Sequence, residues 1–215
     1  MLDNIRWLGH DAFLFVDPAT GRRVLVDPYK LARPVPADII LITHDHPDHF
    51  SSEDVTACRG PRTSIVTVDS VARQLSGDVT VVRPGAKVTV QGVAIEAVAA
   101  YNTTKFRSPG NPFHPRERRW VGFITEIGGE RIYHAGDTDL IDEMTGLHVD
   151  IALLPVSGKY VMTAEEAADA AAVVKPKVAV PMHYGAIIAG EAEATTFVTL
   201  CAERGIATSV LQADA

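Results

Sequence analysis

The sequence has few cysteines, no long apolar run and no excess of positive charge. Only Cys58 and Cys201 occur, and their spacing fits neither a disulfide framework nor a metal knuckle. No run approaches the roughly 20 apolar residues of a membrane-spanning helix. The 27 acidic and 20 basic side chains give a net charge of −7, which disfavours binding to duplex DNA. These absences argue against disulfide-stabilised, membrane-spanning and nucleic-acid-binding proteins.

The remaining composition is that of an ordinary globular chain, with 47% hydrophobic and 22% charged residues among 215. This length allows a substantial core, so we expect residues 1–215 to form a single domain. The first residues lack the basic, apolar and small-residue segments of a signal peptide. We therefore expect a cytoplasmic protein without a membrane partner.

Apolar periodicity predicts that the first half is rich in strands. We expect strands at 5–16, 23–27, 39–43, 64–68 and 79–83, and a hairpin over 87–100. One short helix is predicted to begin at Ser51 or Ser52, and another to begin at Asp69 or Ser70 and end at Leu75.

Residues 101–119 have no periodicity, and their prolines exclude any long regular element. Such a long loop is typical of a lid or a binding loop. A hairpin over 120–134 follows, with strands predicted at 151–156, 177–181 and 206–211. Thr163 and Glu166 form a capping box that begins a helix, and a last helix is predicted over 191–204. The pattern fits an α/β fold in which two sheets pack between helices, a four-layer αββα sandwich, although other α/β arrangements share it.

Three of the eight histidines fall within six residues, directly after an apolar strand. The strand at 39–43 runs into the segment His-Asp-His-Pro-Asp-His at 44–49. Imidazoles and carboxylates held on stiff backbone are what a catalytic metal site requires. Four ligand-type side chains within six residues cannot all bind one tetrahedral ion without crowding, and this favours a site with two ions. The alternative is a histidine-rich surface loop.

Four motifs, in the same order, resemble those of the metallo-β-lactamase superfamily. They are Val-Leu-Val-Asp-Pro at 24–28, the histidine motif at 44–49, Tyr-His-Ala-Gly-Asp-Thr at 133–138 and Val-Pro-Met-His-Tyr at 180–184. The details, including Leu-Gly-His at 8–10, are closest to small stand-alone metal-dependent hydrolases related to the ascorbate-6-phosphate lactonase and the N-acylphosphatidylethanolamine phospholipase D group. The resemblance covers essentially the whole chain and implies the αββα sandwich.

The resemblance also implies two metal sites with ligands from both halves of the chain: His44 and His46 for the first ion, Asp48, His49 and His183 for the second, and Asp137 as a bridge. A hydroxide held between the ions would be the nucleophile. We expect zinc, although manganese, iron and nickel accept the same ligands. Without metal, Asp137 would be a turn residue and His183 a satisfied histidine at a strand end.

One departure concerns the third histidine that the superfamily usually supplies to the first metal. The corresponding residues, Val-Ala-Ala-Tyr-Asn at 98–102, include none. Three alternatives are open. The first ion is held by two histidines, Asp137 and solvent; or His114 reaches it from the long loop; or the first site is weak and one ion suffices.

Further side chains are candidates for roles beside the metals. His10 is assigned to the pocket, with a capped structural histidine as the alternative. Asp27 could orient a metal-binding imidazole, or could simply form a turn before Pro28. Asp48 could accept a proton, and His114 could donate one if it is not a ligand. We expect His134 to be a buried strand residue.

The resemblance implies a metal-dependent hydrolase, and we expect it to cleave an ester, lactone or phosphodiester bond of a small molecule. The long loop carries five cations, which would favour an anionic substrate: Lys105, Arg107, Arg116, Arg118 and Arg119. The alternative is a solvated basic loop or a subunit contact. The sequence leaves the oligomeric state open, including a homo-oligomer.

Other functions are compatible with part of the pattern. A nuclease of this superfamily generally carries additional domains or basic arms, which do not fit in this acidic chain. Diiron redox members have glutamate where this chain has His46. A non-catalytic metal-binding module is disfavoured because the ligands of the second ion and the bridge are all present.

Overall fold

A computed structural model describes residues 2–185 and 190–214. The first half of the chain forms a sheet of six strands in chain order: β1 (Ile5–Gly9), β2 (Ala12–Val16), β3 (Arg23–Val26), β4 (Ala37–Ile42), β5 (Arg59–Thr67) and β6 (Val79–Val81). The first three strands pair antiparallel, and β3 to β6 pair parallel. The parallel part therefore directs several strand ends towards one edge of the sheet.

The described residues of the second half contain eight further strands. They are β7 (Lys87–Val90), β8 (Val93–Ala99), β9 (Phe106–Ser108), β10 (Asn111–Pro112), β11 (Val121–Ile127), β12 (Glu130–His134), β13 (Ile151–Pro155) and β14 (Val178–Met182). Six of them form the second sheet in the order β14-β13-β12-β11-β8-β7, while β9 and β10 form a separate hairpin. The strands β12, β13 and β14 are parallel.

Helices flank the sheets: α1 (Ser52–Cys58), α2 (Asp69–Ala72), α3 (Ala164–Val174) and α4 (Glu191–Glu203). The helix α2 contacts β6, whereas α3 contacts β13, α4 contacts β14, and the two long helices contact each other. One continuous apolar core runs through both sheets. The α/β fold is the predicted αββα sandwich. Among the described residues, no helix combines the length and apolar character needed to cross a membrane.

The predicted elements are confirmed with four local corrections. The segment 5–16 is a hairpin rather than one strand, because Gly9 and His10 adopt left-handed φ angles of 103° and 51° and turn the chain. The predicted strand at 206–211 is reduced to a bridge between Ala179 and Thr208. The loop at 101–119 contains the β9–β10 hairpin and a 3-10 helix, Arg116–Arg118.

The fourth correction concerns the end of a helix, whereas the predicted starts of the helices are confirmed. The helix expected to reach Leu75 ends at Ala72. The capping box is confirmed, since the amide of Glu166 donates to Thr163 Oγ1 and the amide of Thr163 donates to Glu166 Oε2. At the first helix, Ser51 is the N-cap.

Candidate metal centre

The polar side chains of the centre follow the carboxyl ends of strands. His10 and Asp11 follow β1, Asp27 follows β3, and the motif at 44–49 follows β4. From the second sheet, Asp137 follows β12 and His183 follows β14. The sandwich therefore brings together residues that are far apart in sequence, at the end of the molecule where these strands finish.

Two glycines allow the Asp137 loop to pass close to its neighbours. A Cβ on Gly122 would lie 2.5 Å from the carbonyl oxygens of His134 and Ala135, so any side chain there would displace the end of β12. Gly136 has a φ of 64°, and a Cβ there would lie 3.0 Å from the carbonyl oxygen of Val121. Glycine at both positions lets Asp137 reach the centre.

A first cluster consists of His44, His46, His114 and Asp137, whose ligand-type atoms all lie within 4.8 Å of one another. His46 Nδ1 is 3.1 Å from His44 Nε2 and 3.2 Å from His114 Nε2. All three imidazoles thus direct one nitrogen towards the same point. Three imidazoles and a carboxylate are a donor set that suits a divalent transition metal.

His114 enters the cluster from the long loop. Its Nδ1 is 2.8 Å from Asn102 Oδ1, which also accepts a hydrogen bond from the His114 amide. Because the amide oxygen can only accept, Nδ1 carries the proton and Nε2 presents a lone pair to the cluster. Of the three alternatives for the missing histidine, the geometry favours His114 as a ligand rather than a proton donor. It also removes the reason for expecting a weak first site.

A hydrogen-bond chain behind His44 sets its tautomer in the same way. Thr43 Oγ1 donates to Asp27 Oδ2 over 2.6 Å, which uses its only proton. His44 Nδ1, 2.9 Å from the same hydroxyl oxygen, must therefore donate to it. His44 Nε2 is left as a lone pair facing the cluster.

A second cluster consists of His10, Asp48, His49 and His183, again with ligand-type atoms within 4.8 Å of one another. His49 Nδ1 is 2.8 Å from Asp27 Oδ2, so Asp27 orients this imidazole with its Nε2 facing the cluster. His183 Nδ1 is 2.8 Å from Ser157 Oγ. The ring of His10 packs against that of His183, with centroids 4.2 Å apart.

Asp137 faces both clusters with different oxygens. Its Oδ2 is 3.0 Å from His114 Nε2 and 3.9 Å from His44 Nε2. Its Oδ1 is 3.2 Å from His49 Nε2 and 3.4 Å from His183 Nε2. A carboxylate with one oxygen directed to each cluster has the arrangement of a bridging ligand.

The ligand-type atoms of the centre are arranged as ligands of metal ions rather than as hydrogen-bond partners of one another. His49 Nε2, His183 Nε2 and Asp137 Oδ1 are buried, and none of them has a hydrogen-bond partner among the described residues. Buried polar atoms without partners are costly in free energy. Their convergence at 3.2–3.4 Å is the pattern expected of ligands to a cation, and the ligand roles of the individual residues remain predictions.

Burial keeps two imidazoles of the first cluster uncharged. Burial lowers the pKa of His44 well below its ordinary value. Burial, followed by the neighbouring His114, lowers the pKa of His46 to about 4. Both imidazoles are therefore unprotonated near pH 7 and available as ligands.

In the second cluster, the pKa values of two histidines are raised rather than lowered. Although burial opposes it, Asp137 raises the pKa of His183 to about 9 and holds the pKa of His49 well above its usual range. Burial is likewise outweighed at Asp48, whose pKa is lowered by the hydrogen bond from His10. When no cation is bound, the positive charge of these histidines therefore balances the negative charge of Asp137.

Asp11 is a member of the centre that sequence reasoning missed. It is fully buried, and neither carboxylate oxygen has a hydrogen-bond partner among the described residues. Its ligand-type oxygen lies within 4.8 Å of those of His49, Asp137 and His183. Burial raises its pKa, partly offset by His183. The only signal in the sequence was an aspartate next to His10 between two apolar strands.

Because the Asp11 carboxylate is buried without a hydrogen-bond partner among the described residues, with His49 Nδ1 3.6 Å from its Oδ2, we expect the Asp11→Asn variant to show opposite effects with and without metal. In the metal-free protein, neutralising the group should raise the free energy of unfolding by about 1–3 kcal/mol. In the metal-loaded protein, the stabilisation gained from metal should shrink, because one nearby negative charge is lost. Chemical denaturation with and without added zinc measures both effects.

Thr125→Val is the matched control for Asp11→Asn. The Thr125 hydroxyl is also buried without a hydrogen-bond partner in the described part of the chain, but it lies on β11 outside both clusters. We expect it to alter stability equally with and without zinc. An Asp11→Asn variant whose metal-dependent stabilisation equals that of the wild type would contradict the assignment of Asp11 to the centre.

Three residues of the centre have left-handed backbone conformations although they are not glycines. The φ angles are 51° at His10, 43° at Asp27 and 62° at His183. The His10 carbonyl accepts hydrogen bonds from Trp7 Nε1 and from the His183 amide, which join the first hairpin to the end of β14. These contacts hold two strained segments against each other.

Comparison with known proteins agrees with the fold. The profile described as beta-lactamase superfamily domain matches residues 4–183. The chain belongs to this superfamily. The resemblance carried by the four sequence motifs is therefore confirmed.

Relatives place this superfamily member among the UPF0173 metal-dependent hydrolases. The one from Thermus thermophilus is 30% identical over 214 residues, covering 94% of this chain and 92% of the relative. That from Thermococcus onnurineus is 35% identical over 201 residues, covering 84% of each. A crystal structure from Parabacteroides distasonis, assigned as a metal-dependent hydrolase, has 35% identity and a TM-score of 0.85, covering 97% of this chain and 93% of that one.

Proposed function

We propose that this superfamily member is a hydrolase with a dinuclear metal centre that cleaves an ester, lactone or phosphodiester bond of a small molecule. The observation that carries the proposal is Asp137, whose two oxygens face the two clusters. The first ion would be held by His44, His46 and His114, and the second by Asp48, His49 and His183. The two free, buried cysteines are compatible with a cytoplasmic location.

When bound, the two ions would supply a nucleophile derived from water at neutral pH and would polarise the substrate oxygen. The protein contributes rigidity. Asp27 holds His49 and, through Thr43, His44, while Asn102 holds His114. Because these three imidazoles are fixed from behind, their ligand nitrogens keep their positions during turnover.

Asp48 is the best candidate for proton transfer. Its side chain is 24% exposed, and it lines the open pocket above the clusters. His10 Nε2 is 3.3 Å from its Oδ2 and supports the ionised form. The Asp48 carboxylate could therefore take a proton from the attacking water and return it to the leaving group.

We expect His114→Ala to lose metal from the first cluster and to lower turnover by about 10²-fold or more. Metal content per chain, measured by plasma mass spectrometry after gel filtration, should fall by about one ion. Turnover is measured with a 4-nitrophenyl ester, a lactone and bis(4-nitrophenyl) phosphate.

His148→Ala is the matched control, because His148 is exposed and belongs to neither cluster. It should retain both metal and activity. If His114→Ala keeps its full metal content, His114 is not a ligand. If the metal-loaded wild type hydrolyses none of the three probe classes, the proposed chemistry is wrong.

A further inference from the structure

The pocket above the two clusters has a wall whose chemistry the metal centre does not explain. The pocket has a volume of about 230 Å³, with His46, Asp48 and Asp137 from the clusters in its lining. The rest of the wall includes Arg107 and the rings of Phe113 and Tyr160. It thus combines a cation and two aromatic rings next to the proposed reaction centre.

Aromatic contacts hold Arg107 at this wall. Phe113 and Tyr160 form an edge-to-face pair with centroids 4.7 Å apart. The Arg107 guanidinium lies 5.1 Å from the Phe113 centroid, within the range of a cation–π contact. This contact orders a side chain that is otherwise exposed, so that its hydrogen-bond donors remain available.

Of the four other cations in the loop, three differ from Arg107 because acids neutralise them: Lys105 pairs with Glu166, Arg116 with Glu143, and Arg118 with Asp45. The fourth, Arg119, does not line the pocket. Within residues 2–185 and 190–214, Arg107 forms no ion pair and no hydrogen bond through its side chain. Its charge is therefore not used by the fold, although it lies on the pocket wall.

We propose that Arg107 binds an anionic group of the substrate, a carboxylate or a phosphate, while the scissile bond lies over the metal clusters. The guanidinium can form two parallel charge-assisted hydrogen bonds to either group. The aromatic pair would contact the apolar part between the anion and the scissile bond. The substrate class is thus a small ester or lactone with a terminal anion. This inference rests on the proposed hydrolase function.

Two esters of equal chain length test the inference. Mono-4-nitrophenyl succinate ends in a carboxylate, whereas 4-nitrophenyl butyrate ends in a methyl group. For the wild type, we expect a higher kcat/KM with the succinyl ester. Arg107→Ala should lower kcat/KM for the succinyl ester by about 10- to 100-fold and for the butyryl ester by less than about 3-fold. For Arg107→Lys, kcat/KM with the succinyl ester should lie between those of the wild type and Arg107→Ala. Lysine keeps the positive charge but lacks the two parallel hydrogen-bond donors of the guanidinium.

Lys159→Ala is the matched control. Lys159 lies 5.3 Å from the Tyr160 centroid but does not line the pocket. Removing this charge should change kcat/KM for both esters by less than about 3-fold. Equal losses for both esters in Arg107→Ala, or a loss in Lys159→Ala as large as in Arg107→Ala, would overturn the inference.

Equilibrium binding separates this inference from the proposed function and distinguishes the two anions. Calorimetry on the metal-loaded protein compares butyrate, succinate and 3-phosphonopropanoate. The second anion should strengthen binding in the wild type but not in Arg107→Ala, and the stronger of the two dianions identifies carboxylate or phosphate. If wild-type turnover is absent but this difference holds, only the hydrolase proposal fails. If the three compounds bind equally, Arg107 is not an anion site.

Discussion

Replacement of Asp137 by alanine is expected to abolish binding of both ions and to lower turnover by at least about 10³-fold, since even one electrostatic contact at a reaction centre contributes about 10²–10³. The reason is that the two oxygens face different clusters. Loss of this side chain therefore weakens both sites at once. Metal content and turnover of the probe esters should fall together.

Asp45→Ala provides the comparison for Asp137→Ala. Asp45 lies between His44 and His46 in sequence, but its Oδ2 is directed to Arg118, 3.5 Å away. We expect this variant to keep both ions. If Asp137→Ala retained one ion at full occupancy, Asp137 would be a ligand of a single site rather than a bridge.

Replacement of Asp27 by alanine is expected to reduce the free energy of unfolding by about 3–5 kcal/mol, the cost of removing one partner of a buried charged pair. This fully buried carboxylate accepts from the Thr43 amide, the Thr43 hydroxyl and His49 Nδ1. All three donors would lose their acceptor. Urea denaturation of the metal-free protein measures the change.

The same substitution should also weaken metal binding, by about 10- to 100-fold, because both His49 and His44 lose their orientation. Asp27→Asn keeps one acceptor oxygen and should lie between the wild type and Asp27→Ala. Competition with a chromophoric chelator gives the affinities. Unchanged stability in Asp27→Ala would show that the hydrogen bonds of this carboxylate contribute little to folding.

Local patterns were sufficient for much of the fold, and the resemblance carried by the four motifs supplied most of the candidate ligands. The helix at Thr163 and the strand before His44 follow from capping and periodicity, which act over a few residues. Asp27 was also assigned its contact with an imidazole, because it ends a strand beside the site. These features depend on short stretches of chain.

Features that depend on distant contacts could not be derived in this way. The position of His114 depends on Asn102 and on the path of a loop with little periodicity. Asp11 is buried where the first hairpin meets residues that follow β4 and β14: its Oδ2 lies 3.6 Å from His49 Nδ1, and the His10 carbonyl accepts a hydrogen bond from the His183 amide. The segment at 206–211 has the composition of a strand, yet it forms only one bridge, to Ala179. Such outcomes are decided by tertiary packing.

Similarly, the charges of the long loop were predicted as a group, and the structure separates them. Arg116 and Arg118 are paired with acids on other segments, whereas Arg107 is held only by an aromatic ring. Sequence shows how many cations a loop has. Only the folded chain shows which of them are neutralised.

The left-handed conformations of His10 and His183 imply a conflict between stability and activity. Such a conformation costs a non-glycine residue about 1–2 kcal/mol, and both positions lie in the metal centre. Random substitution that selects only for heat resistance should therefore accumulate glycine or asparagine at these two positions, while losing metal. Asp27 has the same backbone conformation, but its three hydrogen bonds outweigh the strain, so selection for stability and selection for turnover should both retain it.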